Sequence, residues 1–82
     1  MSDQAKIVES VDAKLIADIN NRFCYHTPKG DQQQRYVNLR ETARNLALVI
    51  ASSSKPSREQ SLALTKLQEA VMWANAGIAC NE

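Results

Sequence analysis

Ile7, Val11, Leu15 and Ile19 recur every four residues, with Val8 and Ile16 beside them, and this spacing predicts an amphipathic helix from about Asp3 to Asn21. Its outer face carries Lys6, Glu9, Asp12 and Asp18, so it has one stripe to bury. Asn20 and Asn21 are natural places for it to fray, and Phe23 to Gly30 read as a loop around Pro28. Asp31 is placed to cap a second helix with its side chain, and Gln34 follows three residues on, as in a capping box. From there Tyr36, Leu39, Ala43, Leu46 and Ile50 alternate steps of three and four, the pattern of an a/d seam. The helix should stop in Ser52-Ser53-Ser54, because Pro56 cannot continue it and restricts Lys55 before it. Ser57 with Gln60 repeats the capping box, and Leu64, Leu67, Val71, Ala74 and Ile78 form a second seam with the same spacing. A connection this short makes the second and third helices antiparallel neighbours.

From Ala70 to Asn81 the chain runs AVMWANAGIACN without one charge. A helix that is uncharged on every face needs cover on every face, which one small hairpin does not supply, so partner subunits are expected. Ala63, Ala70, Ala74, Ala76, Gly77 and Ala79 remove side-chain bulk there and admit a close helix. Gly77 costs about 1 kcal/mol of helix propensity relative to alanine, and a close interhelical contact is the expected compensation. Trp73 lies off the centre of the seam and is expected to pack on the first helix or on a neighbouring subunit. Asn75 needs a hydrogen-bond partner if buried, and a role in fixing register between subunits follows. The fold class is therefore all-α: an N-terminal amphipathic helix over residues 1–21, then a loop and two-helix hairpin over residues 22–82, assembled into a compact homo-oligomer.

Composition narrows the function. Eighty-two residues make one domain, and a chain of this size usually needs association or staples to stabilise it. The two cysteines, Cys24 and Cys80, are expected to be free thiols, because the charged first twenty residues do not read as a secretory leader and the chain is expected in a reducing cytosol. The uncharged run is shorter than the roughly 20 residues that span a bilayer, so no membrane partner is expected. Ten basic residues against nine acidic ones leave a net charge of +1, which gives no sequence-wide electrostatic case for DNA or RNA.

An enzyme is not expected. Cys24 and His26 stand two apart in a loop, but no glycine-rich turn or second base accompanies them, and a zinc site wants four ligands. No cofactor is implied. A binding role fits better: Tyr25, His26 and Lys29 precede the second helix, and Arg40 and Arg44 lie one turn apart on its surface beside the seam. Aromatic faces stack on nucleobases and guanidinium groups grip phosphate oxygens through paired donors, a combination suited to a small phosphorylated ligand. The plain alternative has Arg40 and Arg44 solvated or paired to Glu41, with Tyr25 merely packing the loop.

The pattern Phe23-x-Tyr25-His26-x-Pro28-x-x-Asp31-Gln32, then Arg35-Tyr36, Arg40-x-x-Ala43, and Ala63-Leu64-x-x-Leu67-x-Glu69-Ala70-Val71-Met72-Trp73-Ala74-Asn75-Ala76 resembles the phage anti-CBASS sponge family, whose hairpin domain is shared with the phage sponges that counter Thoeris defence. The resemblance covers roughly residues 22 to 82. It implies a hexamer in the host cytoplasm that binds cyclic oligonucleotides made by bacterial immune cyclases and sequesters them without cleavage. It implies cyclic dinucleotides held between paired protomers, with Tyr25 stacking on a base and Arg40 contacting phosphate where the family often has lysine. Some members also hold cyclic trinucleotides in separate pockets through a threonine, here Thr42, and an arginine near the end of the third helix, where this chain has Cys80-Asn81. Thr42 lies about 200° around the helix from Arg40, which fits two pockets on different faces. Two other readings are a helical oligomeric module that binds a protein partner through the Ala70 to Ile78 face, and a small nucleic-acid-binding regulator using Arg35, Arg40 and Arg44.

Overall fold

The computed structural model describes residues 9–82, and its elements over that range are helices: α1 (Ala13–Arg22), α2 (Gln32–Ser53) and α3 (Arg58–Asn81). The continuous first helix expected from Asp3 is interrupted at residues 10–12. Asp12, expected on the polar face, is instead the N-cap of α1: its carboxylate accepts from the Lys14 amide at 2.8 Å, and its carbonyl accepts from the Ile16 amide at 3.0 Å. A short acidic side chain that satisfies a helix-start amide competes with continuation of the helix upstream, and this local bond overrides the apolar periodicity. Val11 and Ile16, both half-buried, occupy the positions on either side of the cap that pair as a hydrophobic staple. Ile7 and Val8, with the rest of residues 1–8, lie outside the described residues. At the other end α1 does not fray at Asn20-Asn21. It runs to Arg22, closed by the Phe23 amide donating to the Ile19 carbonyl at 3.0 Å and by an Arg22–Asp18 ion pair at 2.8 Å.

The loop from Phe23 turns at Gly30, whose φ of +56° is the left-handed conformation that glycine adopts without steric cost. Asp31 precedes α2 as expected, but its carboxylate caps no amide; it accepts from Arg35 Nε at 3.1 Å instead. Gln34 likewise turns forward, donating to Asn38 Oδ1 at 2.9 Å. The reach-back bond is made by Gln32, whose Oε1 accepts from the Lys29 amide at 3.1 Å while its own amide donates to the Lys29 carbonyl at 3.0 Å. The reach-back bond thus falls two residues earlier than the capping box predicted, while the helix itself starts after Asp31 as expected. Gln32 is the only buried side chain among the described residues.

α2 ends at Ser53, and Ser57 caps α3 by accepting from the Gln60 amide at 3.0 Å, both as the sequence predicts. The Gln60 side chain does not close the box on Ser57. Its amide crosses the connection to the Ser54 carbonyl and hydroxyl, each at 3.0 Å, and so ties the start of α3 to the end of α2.

The two seams face each other along the hairpin, yet no hydrophobic side chain among the described residues is buried. Leu46, a seam residue, stays 48% exposed, and on α3 Met72 and Trp73 stand 60% and 76% exposed. Trp73 is therefore not covered by α1. Among the described residues a Cβ on Gly77 would meet nothing within 4 Å, so neither α1 nor α2 makes the close approach expected there. Asn75 Oδ1 is buried with no hydrogen-bond partner among the described residues.

Candidate ligand-binding site

The a/d pattern turns one face of α2 onto α3 and leaves the residues flanking the seam to line grooves on either side. Arg40 and Arg44, four residues apart, stand along one groove of about 290 Å³ with Gln68 and Met72 of α3 opposite and Leu67 and Val71 in its apolar wall. Both guanidinium groups are exposed, and neither is paired with Glu41. An apolar wall beside two uncommitted guanidiniums suits a ligand that has a flat apolar part and an anionic part. Gln68 and Met72 were not among the residues singled out from sequence. Their signal was there, since both are one position from a seam residue, Leu67 and Val71.

Thr42 lines a different groove, of about 500 Å³, with Arg35, Asn38 and Leu39 of α2 and Ala74 and Ile78 of α3. The expected division of Arg40 and Thr42 between two sides of the hairpin is what the helix geometry produces.

The loop residues do not share either groove. Tyr25 is 83% exposed in the loop before α2, and Lys29 is fixed through its backbone by Gln32. The nine residues from Asp31 to Arg40 span about 14 Å of helix, which sets the loop well away from the arginine groove within one chain. His26 is half-buried and committed: its Nε2 donates to the Asn21 carbonyl at 2.7 Å, and because a carbonyl only accepts, that nitrogen carries the hydrogen. Cys24 Sγ lies 3.5 Å from the same nitrogen and 3.6 Å from the same carbonyl. His26 thus pins the loop to the end of α1. Among the described residues no three His, Cys, Asp or Glu side chains gather as metal ligands, and no helix is long and apolar enough to cross a membrane.

A further cationic centre lies where α2 begins. Arg35 donates to Asp31 Oδ1 and makes a two-pronged contact with Glu82, Nη1 to Oε2 at 3.1 Å and Nη2 to Oε1 at 2.5 Å. The bonds from Arg35 hold the Glu82 carboxyl below its ordinary pKa, and the bond to Glu82 raises that of Arg35 above its own. Sequence reasoning placed Arg35 in the family pattern but gave it a role only in the nucleic-acid alternative, because a partner 47 residues away leaves no mark in local spacing.

Residues 15–79 match the family described as Acb2/Tad1, hairpin domain. The chain belongs to this family. It is the family of the anti-CBASS and anti-Thoeris sponges, and the match bears out the resemblance read from the sequence. The Acb2/Tad1 match reaches back through α1 to residue 15, upstream of the residues that carried that resemblance, and it takes in Tyr25, His26, Lys29, Arg40, Thr42 and Arg44. Comparison with curated proteins and with solved structures gave no match.

Proposed function

We propose that this chain is a phage-encoded sponge that binds cyclic oligonucleotides, cyclic dinucleotides foremost, and holds them without cleavage in the host cytoplasm, so that CBASS effectors are not switched on. The observation that carries the reading is the Acb2/Tad1 hairpin match combined with a groove in which Arg40 and Arg44 are unpaired beside an apolar wall. The phosphates of the ligand go to the two guanidiniums, and a base lies against the wall or under an aromatic ring.

Tyr25 enters this site from a second protomer. Within one chain it stands apart from the arginine groove, so a pocket that uses both requires two chains, and a two-fold relation between them matches a ligand with two nucleotides. Sequestration needs no chemistry, only sites in excess of ligand and a dissociation constant below the ligand's concentration.

The assembly we propose is a hexamer. A standard interface removes about 800 Å² from each partner. Contacts with two neighbours, as higher assemblies than a dimer require, would draw on the apolar faces that the described residues leave open. Trp73, Met72 and the open face at Gly77 are the surfaces such contacts would cover.

Native mass spectrometry with a panel of cyclic di- and trinucleotides tests both parts at once. The expected spectrum shows six chains carrying intact dinucleotides. A bare oligomer with every ligand tested refutes the sponge, and a ligand recovered in linear form points to an enzyme.

A further inference from the structure

Cys24 and Cys80, far apart in the sequence, meet at one atom, the backbone carbonyl oxygen of Asn21. Cys24 Sγ lies 3.6 Å from it and Cys80 Sγ 4.0 Å from it, so the two sulfurs are separated by no more than those two distances laid end to end. His26 Nε2 donates to the same oxygen at 2.7 Å. A carbonyl offers two lone pairs to these three donors, and a thiol is the weakest donor of the set. At least one thiol contact is therefore surplus and costs little to give up.

The backbone on both sides is anchored to the same residue. The Asn21 side-chain amide donates to the Cys80 carbonyl at 2.9 Å, and His26 ties the loop that carries Cys24 to the end of α1. Cys24 is exposed and open to a solute, whereas Cys80 is half-buried behind it. The His26 Nε2 hydrogen lies on the Cys24 side as well, with the nitrogen 3.5 Å from Sγ, where it can donate to a sulfur that bears negative charge. An exposed first thiol with a second thiol close behind is the arrangement of an oxidisable pair.

We propose that Cys24 and Cys80 are a peroxide-oxidised pair whose disulfide locks α1 and the loop onto the end of α3. The Cys24 thiolate attacks one oxygen of hydrogen peroxide, the O–O bond breaks, and the departing hydroxide takes a proton to leave as water with Cys24 as the sulfenic acid. The Cys80 thiol then attacks the Cys24 sulfur, and the sulfenic oxygen leaves as a second water with the thiol proton. Two electrons pass from the two sulfurs to the peroxide. Both cysteines are free thiols in the structure, the resting state that a reducing compartment maintains, and a reducing thiol reverses the bond by exchange. The crosslink encloses all of α2 and nearly all of α3, so it removes much of the freedom of the unfolded chain. None of this depends on the sponge reading.

Intact mass measurement tests this on the full chain. The protein is treated with hydrogen peroxide, remaining thiols are blocked with iodoacetamide, and the mass is read under denaturing, non-reducing conditions. The expected product is a single chain, lighter by two hydrogens and carrying no blocking group, from which dithiothreitol restores two blockable thiols. Its melting temperature should lie roughly ten degrees or more above that of the reduced protein and fall back after dithiothreitol. Cys24→Ser under the same treatment should show no such rise, which separates the crosslink from oxidation elsewhere, as at Met72.

Two blockable thiols after peroxide overturn the pair. So does a chain with added oxygens on Cys24 beside a blockable Cys80, since the thiols then do not meet. Crosslinked pairs of chains would assign the cysteines to a contact between copies and overturn the bond within one chain. A disulfide within one chain whose melting temperature is unchanged or lowered, or a rise shared by Cys24→Ser, overturns the lock.

Discussion

Asn21 and Cys80, fifty-nine residues apart, are joined by a hydrogen bond of 2.9 Å from the Asn21 side-chain amide to the Cys80 carbonyl. That carbonyl is in the last turn of α3, where helix oxygens have no partner of their own, and the Asn21 backbone carbonyl in turn accepts from His26. One residue therefore ties α1, the loop and the hairpin together. Asn21→Ala should cost about 0.5–1.5 kcal/mol. The loss should appear as faster amide exchange in α1 and in residues 23–30, with the α2–α3 hairpin unchanged. Uniform loosening of all three helices would show that α1 is not held by this bond.

Glu82 provides a titration with a definite sign. Its folded pKa is lowered by Arg35, so the pair contributes stability above the ordinary carboxylate pKa of about 4.3 and loses it as pH falls through the lowered value. An NMR titration of the side-chain carboxyl should place its midpoint below the ordinary carboxylate range. In Arg35→Ala the Glu82 midpoint should rise to the ordinary range. An unchanged midpoint would mean that the ion pair is not populated in solution.

The hairpin was legible because its signals are local. Two a/d seams, Pro56, the serine run and the Ser57 cap each act within a few residues, and all appear where the sequence places them. Arg40 and Thr42 fell on separate grooves for the same reason, since a two-residue step turns a helix by about 200°. The failures occurred where a side chain had two local options. Asp12 caps α1 instead of facing solvent on a longer helix, and Asp31 takes Arg35 instead of an amide, leaving the reach-back bond to Gln32. Periodicity does not rank such alternatives, because each exchanges one hydrogen bond for another. The Arg35–Glu82 and Asn21–Cys80 contacts join distant parts of the chain, and no spacing rule reaches them.

Trp73 is 76% exposed, so a charge placed there disturbs little within the chain. If the proposed assembly forms through this face, Trp73→Glu puts an unpaired carboxylate in an interface at a cost of several kcal/mol. Sedimentation should then show the parent at several times 9.1 kDa and the variant dissociated with its helical content retained. A parent monomer would remove the two-chain pocket altogether.

Gly77 gives a reading of opposite sign at the same face. Nothing among the described residues lies within 4 Å of a Cβ added there, so in an isolated hairpin Gly77→Ala should gain about 1 kcal/mol from helix propensity alone. Where a neighbouring helix packs on that glycine, the methyl group forces the backbones apart and assembly weakens. Thermal melts of the parent and variant over a hundredfold range of concentration separate the two. Weaker assembly with a more stable dissociated chain supports a close contact at Gly77, whereas stabilisation at every concentration places the interface elsewhere.

The proposed two-chain dinucleotide site makes the most demanding prediction. Tyr25→Ala removes stacking worth roughly 1–3 kcal/mol per base, and Arg40→Ala removes a charge-assisted bond of about 1.5–3 kcal/mol. In a two-fold pocket each substitution acts twice on one ligand, so cyclic dinucleotide affinity should fall by about a hundredfold or more while the oligomer persists. Thr42→Ala should leave that affinity nearly unchanged, because Thr42 lines the other groove. Calorimetry on the three variants is the test. Equal loss of dinucleotide affinity in all three would mean that the two grooves are not separate sites, and no loss in Tyr25→Ala would remove Tyr25 from the proposed pocket.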